Sequence, residues 1–315
     1  MRGIVGDGWY ARTVALVDVV VVSYNSSEHL RDCVELLAQE DDLHVVVADN
    51  ASSDGSLDTL HGLPVERLAL PRNGGFAYGC NAGWRTGSAP YVLFLNPDAV
   101  ADAEGVRRLA HVLEEDERAG AVGPRILEED GLALSQRRFP RLASTYANAL
   151  FLHRVFTQAD WASELVRDPD SYERPGSPEW ISGACLLVRR DLLERLEGLD
   201  EGFFMYCEDK DLCRRIRDAG YNVRYEPEAV VRHEGGASAP RAALLPVLAE
   251  SRVRYARKHR GRAVAALERA GIGLTALTHM VVAKGGRAAR AGHAASLLAA
   301  SGLRSPGARP APKDV

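Results

Sequence analysis

Apolar runs of two periods divide the first part of this chain into alternating strands and helices. Val17–Ser23 (VDVVVVS), His44–Ala48 (HVVVA) and Tyr91–Leu95 (YVLFL) are short and almost wholly apolar, the pattern of strands covered on both faces. After the first, Leu30, Val34 and Leu37 recur at helical spacing behind Ser27, which is suited to cap that helix. Val65–Ala69 predicts a third strand, Phe76–Trp84 and Ala103–Glu115 predict helices, and Gly123-Pro124-Arg125 opens a further short strand. Ser144–Pro178 is weakly patterned and reads as a flexible loop. Further on, Leu212, Ile216 and Ala219 share a helix face behind Glu208, Asp209 and Asp211, and Gly220 closes that helix. A strand over Asn222–Tyr225, a turn at Pro227 and a second strand ending at His233 complete the pattern. Strand, helix and strand in alternation predict an α/β fold, a mostly parallel sheet with right-handed crossovers. Ligands of such sheets bind at the carboxyl ends of the strands, where Asp49 and Asp98 fall.

Length and composition narrow this picture. The chain has 315 residues, 46% hydrophobic and 26% charged, as in a soluble globular protein of one large or two modest domains. Its net charge of -4 is unevenly spread. Lys and Arg outnumber Asp and Glu by 14 to 3 from Arg241 onward, and fall short by 25 to 40 before it. The acidic body argues against nucleic-acid binding, and the basic tail suggests surface attachment. We expect an N-terminal extension over residues 1–16, a main domain over 17–240, and a basic helical extension over 241–315 whose last residues are disordered. In that extension Leu245 and Leu248 precede Arg252, Arg254, Arg257, Lys258 and Arg260. Such a helix either lies on an anionic membrane or packs on the body. The first residues lack the apolar core of a signal peptide, and Ile272–Ala283 is too short and polar to span a bilayer. Five Cys without a C-x-x-C pair suggest neither a zinc site nor a disulfide framework, and fit a reducing cytoplasm.

Three stretches carry candidate chemistry. The glycines of Arg72-Asn73-Gly74-Gly75 let backbone approach a ligand closely, but form no G-x-G-x-x-G fingerprint or P-loop. Asp98, after the YVLFL strand, is placed either for a hard divalent cation or as a turn or cap acid. Ser135–Arg141 (SQRRFPR) concentrates cations around Phe139, as a solvated basic loop or as a clamp on phosphate or sugar. Taken alone, Glu208 or Asp209 caps its helix.

The ordered set VVVVSYN, VVVADNASSDGS, NGGFAYGCNAG, LFLNPDA, ISGACLLVRR, FFMYCEDKDLCRRIRDAGY and VRHEGG resembles the family 2 inverting glycosyltransferases of the GT-A fold. The likeness spans about residues 17–240 and is greatest to the rhamnosyltransferase branch of bacterial cell-wall and O-antigen synthesis. It implies a donor pocket with Asp49 on the nucleotide and Asp54 in the same loop. Ser23, Tyr24, Asn25 and Asn50 flank them, with Asn73, Gly75 and Asn81 following. Asn96-Pro97-Asp98 occupies the D-x-D position: Asn96 replaces the first Asp, and Asp98 would bind Mg²⁺ or Mn²⁺ with His233. Asp209 matches the general base, which Glu208 and Asp211 would orient, and Arg137, Arg138, Trp180 and Gly183 fall on the acceptor or phosphate side. The implied reaction moves a sugar, best L-rhamnose from dTDP-rhamnose, to a lipid-linked saccharide at the inner face of the plasma membrane, by a peripheral enzyme acting as a monomer or a homodimer. The alternatives are a UDP-sugar donor (galactofuranose, N-acetylglucosamine or glucose) or a catalytically silent binding module.

Overall fold

The computed structural model describes residues 15–235, 241–283 and 286–302; the expectations for the chain's first 14 residues and for disorder at its end fall outside them. Four parallel strands form one half of the main sheet: β1 (Val17–Ser23), β2 (Leu43–Asp49), β3 (Glu66–Ala69) and β4 (Tyr91–Leu95). β1 lies between β2 and β4, with Ser23 opposite Asp49 and Val21 opposite Leu95. This register brings the carboxyl ends of three strands to one edge. The helices between them are α1 (Leu30–Val34) and α2 (Phe76–Trp84). Glycines bring α2 unusually close to β1: a Cβ at Gly79 would stand 2.6 Å from Val22 Cγ1, and one at Gly83 2.4 Å from Val20 Cγ1.

The other half of the sheet mixes directions. β5 (Ala99–Ala101), α3 (Ala103–Glu115), β6 (Ala119–Glu128), β7 (Gly131–Leu132) and β8 (Gln136–Arg137) follow β4. After α4 (Leu142–Ala149) come β9 (Trp180–Ile181), β10 (Cys185–Arg189), α5 (Arg190–Arg195), α6 (Glu208–Asp218) and β11 (Asn222–His233). β10 inserts antiparallel between β4 and β6, β11 runs parallel to β6, and β5 pairs antiparallel with the end of β11. Among the described residues the main sheet runs β3-β2-β1-β4-β10-β6-β11-β5, while β8 and β9 form a separate ribbon. Buried clusters fill both faces, one built on Val19, Leu93 and Leu109, the other on Phe94, Leu186 and Ile216. All five cysteines are free and buried. Helices α7 (Arg241–His259), α8 (Arg262–Val282) and α9 (Gly286–Ser301) pack on one another, and α8 packs on α4.

Several local expectations need correction. Ser27 caps no helix: His29 holds the N-cap position of α1, and the Ser27 N–H donates to Asp54 Oδ2 at 2.9 Å. The expected turn at Pro227 is a bulge within the single strand β11, which slips register between Glu226 and Val230. The stretch read as a flexible loop holds α4 and a short extension of the β8–β9 ribbon, where Arg137 bridges Leu165.

Candidate active site

A cleft of about 850 Å³ opens where the carboxyl ends of β1 and β4 meet α2, the β8–β9 ribbon, α6 and α7, a size suited to a small-molecule substrate. Sheet register assembles its floor. Cys185 pairs with Leu95, so the turn before β10 lies against the segment after β4, and the Asn96 N–H donates to Ala184 O at 2.9 Å. His233 pairs with Ala99 across β11 and β5, which sets its ring beside Asp98.

Asp98, buried, and His233, half-buried, form a pair with Oδ1 3.2 Å from Nε2. Burial pushes the Asp98 carboxyl up, but the bond and charge of His233 outweigh it and leave it below its ordinary value. Burial likewise lowers His233, and Asp98 followed by Glu128 more than offsets this and raises it. Glu128 Oε1, 3.5 Å from Nδ1, braces the far side of the ring, as partners of metal-binding histidines do. Among the described residues no three or more His, Cys, Asp or Glu side chains converge as a self-sufficient metal site. The pair nevertheless fits a cation shared with a diphosphate. Mg²⁺ takes one or two protein ligands and completes an octahedron with phosphate and water; neighbouring ligands about 2.1 Å from the ion then lie about 3 Å apart. Asp98 and His233 already have that spacing.

Asp209 faces the same cleft from the first turn of α6. Its Oδ2 accepts the Gly183 N–H at 2.9 Å and its Oδ1 accepts the Lys210 N–H at 2.7 Å. A Cβ at Gly183 would stand 2.9 Å from Asp209 Cβ, so this approach needs a residue with almost no side chain. Tyr206 and Cys207, just before the helix, both have φ of 68°, a left-handed geometry costly for such residues. The loop is anchored further back, where the Phe76 N–H donates to Phe204 O at 2.8 Å. Gly75, at φ +93°, makes room: a Cβ there would stand 2.1 Å from that oxygen. Glu208 borders the cleft, but Oε2 is buried without a hydrogen-bond partner among the described residues. Burial first, then the charge of Asp209, pushes its carboxyl up to about 8.

The remaining expected residues divide in two. Tyr24, Asn50, Asn73, Gly75, Asn96, Arg137 and Trp180 border the cleft. Asn50 donates Nδ2 to Gly75 O at 3.1 Å and leaves Oδ1 buried without a partner among the described residues. The second group is not among the cleft-lining side chains, and four of its members have bonds that explain why. Asp211, fully buried, is taken out of the base-orienting set by Arg215, Lys258 and His259, each 2.7 Å from its oxygens. Asn81 ties α2 to the backbone of Leu199 and to Glu201, and Asp54 staples its own loop through Ser27 and Ser56. Arg138 points to Asp160 and the Leu165 carbonyl. Asp49 accepts from the Ser52 N–H and hydroxyl at 2.9 and 2.5 Å. The Asn25 side chain accepts the Ser53 N–H at 2.9 Å. Ser23 is fully buried at the β1 end.

Some cleft residues carried no motif. Glu164 binds Lys210 at 2.9 Å and Arg252 at 3.1 Å, and those charges hold its carboxyl down at about 2 against the upward push of burial. Arg167 and Leu245 also line the cleft. Arg137 ends β8 with its side chain at the cleft, while Arg138, the next residue, turns to Asp160 and the Leu165 carbonyl.

The family profile described as Glycosyl transferase family 2 matches residues 18–196. The N-acetylglucosaminyl-diphospho-decaprenol L-rhamnosyltransferase of Mycobacterium tuberculosis is 33% identical over 236 residues, covering 69% of this chain and 76% of that protein. The rhamnosyltransferase WbbL of Escherichia coli is 25% identical, covering 67% and 81%. Among solved structures, a mannosyltransferase of Pyrobaculum calidifontis in complex with GDP-Man and Mn²⁺ superposes with a TM-score of 0.55 at 19% identity, covering 92% of this chain and 86% of that one. The chain belongs to glycosyl transferase family 2 and is a glycosyltransferase of the GT-A fold.

Proposed function

We propose that this glycosyltransferase is a metal-dependent, inverting rhamnosyltransferase. It moves L-rhamnose from dTDP-rhamnose to a hydroxyl of a lipid-linked saccharide at a membrane surface. The observation that carries this reading is that Asp209 and the Asp98–His233 pair line one and the same cleft. The donor sugar and the lipid carrier follow the names of the relatives above, whose substrates are L-rhamnosyl and decaprenyl diphosphate compounds in the mycobacterial case.

Inversion is a single displacement. The acceptor oxygen forms its bond to the anomeric carbon as the bond to the nucleotide diphosphate breaks, and the hydroxyl proton passes to Asp209. The N–H groups of Gly183 and Lys210 fix the Asp209 carboxylate without neutralising it. Glu208, kept protonated by burial, adds no second negative charge beside it. A divalent cation held by Asp98, His233 and the donor's own phosphates would offset the charge gathering on the leaving diphosphate.

The test combines binding and turnover. Thermal unfolding with dTDP, UDP and GDP, each with and without Mn²⁺, should show its largest shift with dTDP plus metal; a ligand at a hundred times its dissociation constant adds about 2.7 kcal/mol. Asp209→Asn should keep that shift and lose about 10²–10⁴-fold in kcat. A larger shift with UDP would replace the rhamnosyl donor, and full activity in Asp209→Asn would remove Asp209 as the base.

A further inference from the structure

We infer that the wall of the cleft around Arg137, Arg167 and Arg252 is a binding site for the diphosphate of a prenyl-diphosphate acceptor, with the leucines of α7 holding the start of its hydrocarbon chain. The inference rests on the lipid-linked acceptor proposed above and assigns that acceptor its own subsite.

Charge is the first observation. Arg137 and Arg167 line the cleft, and the Nε of each is sealed from solvent without a hydrogen-bond partner among the described residues. Neither guanidinium forms an ion pair with a described carboxylate, whereas Lys210 and Arg252 share Glu164. Arg252 also reaches Glu268 at 4.0 Å, so Arg137 and Arg167 are the two of these four cations without an ion pair to a described carboxylate. Burial lowers the pKa of Arg137, with Glu164 and then Asp209 pulling the other way. A guanidinium withdrawn from water needs an anion, and the planar fork of Arg suits phosphate oxygens.

Placement is the second. Arg137 pairs with Trp180 on one side and bridges Leu165 on the other. Side-chain alternation sends Arg167 to the same face as Leu165, and Ser182 to the same face as Trp180. All five border the cleft. The ribbon and its extension therefore present two arginines without a described carboxylate partner, the Arg137 guanidinium 5.7 Å from the centre of the Trp180 ring, next to the turn whose Gly183 N–H holds Asp209. Asp98 and His233, which suit the donor's diphosphate, are carried by the β4 and β11 ends instead. The site has places for two separate diphosphates.

Apolar surface is the third. Leu245, Leu248 and Arg252 lie at i, i+3 and i+7 on one face of α7, and all three border the cleft with Leu244. The leucines are partly exposed, and the arginine at the inner end of their stripe reaches Glu164 at 3.1 Å. A chain of apolar contacts leading to cations and then to a base matches a hydrocarbon, a diphosphate and a sugar hydroxyl in that order.

Calorimetric titration with farnesyl diphosphate, farnesol and inorganic diphosphate tests this without turnover. Wild-type protein should bind farnesyl diphosphate at least about tenfold more tightly than either fragment, and equally well when saturated with dTDP and Mn²⁺. Arg137→Gln and Arg167→Gln should each weaken farnesyl diphosphate about tenfold or more while dTDP binding stays within about twofold, which also reports that the variants fold. Leu245→Asp should weaken farnesyl diphosphate and leave inorganic diphosphate unchanged. Displacement of farnesyl diphosphate by dTDP would give these cations to the donor and overturn the inference, as would wild-type affinity in both arginine variants. Absence of dTDP binding in the wild type would instead strike the donor reading, while the prenyl titrations still decide this one.

Discussion

Glu208 and Asp209 are chain neighbours in opposite surroundings. Asp209 has two backbone N–H donors, whereas Glu208 leaves one oxygen buried without a partner among the described residues. The folded protein therefore binds a proton at Glu208 that the unfolded chain releases above the ordinary value of 4.5, and releases it itself only near 8. Stability from this group is full below pH 4.5 and is lost progressively as pH rises through about 8. Glu208→Gln should flatten that decline and gain about 1–3 kcal/mol over wild type at pH 8. Urea unfolding at pH 5 and pH 8 checks this, and parallel profiles for the two proteins would refute it. The acids of the helix start were legible in sequence, and so were Asp98, His233 and the Asn73–Gly75 turn, because each sits at a strand end or glycine break. Direction was not legible. Asn81 and Asp211 lie in the same motifs but face inward to hold neighbouring elements, and a motif does not tell which side of a helix meets the cleft.

Asp211 shows what α6 does as an element. One face of the helix carries Asp209 toward the cleft; Asp211 binds Lys258 and His259 of α7, and also Arg215, which reaches the carbonyls of Leu196 and Gly198. Burial pushes the Asp211 carboxyl up, but His259, Arg215 and Lys258 bring it down to about 2. Its contribution is present above pH 3.8 and lost as pH falls through about 2. Asp211→Ala leaves two cations and a histidine without their shared anion, and should cost about 3–5 kcal/mol. Denaturant midpoints should fall accordingly; a loss under about 1 kcal/mol would mean that the other ties of α7, such as Arg254 and Lys258 to Asp200 and Arg252 to Glu164, hold it without Asp211. Elements with an uninterrupted apolar run, such as β1 and β4, were readable from sequence. The inserted strand β10 and the bulged β11 were less so, since reversal of direction and a register slip depend on partners far along the chain. Glu164 and Arg167 lay in a segment with no period at all, and only its pairing with β8 gives it order.

The molecule as a whole sets an acidic sheet domain beside a basic helical end. Among the described residues no helix is long and apolar enough to cross a membrane, yet α8 exposes Val264, Leu267, Leu277 and Val281 at near-helical spacing, and Arg287 and Arg290 are exposed on α9. We read this as a face for an anionic bilayer, the surface on which the proposed acceptor resides. Liposomes with anionic lipid should float the protein in a salt-sensitive way, and Val281→Glu should reduce the floated fraction several-fold with transfer to a short soluble acceptor unchanged. Equal flotation of the variant would overturn the bilayer reading of this stripe. The buried cysteines have a separate consequence. Burial raises the pKa of all five thiols, so a thiolate reagent finds little to attack until the fold opens. Cys33, Cys80 and Cys185 sit in or beside the sheet, while Cys207 and Cys213 belong to α6 and the loop before it. Timed thiol labelling would then act as a two-zone clock, with early modification of Cys207 and Cys213 marking local opening of α6 and later modification of the other three marking collapse of the whole domain.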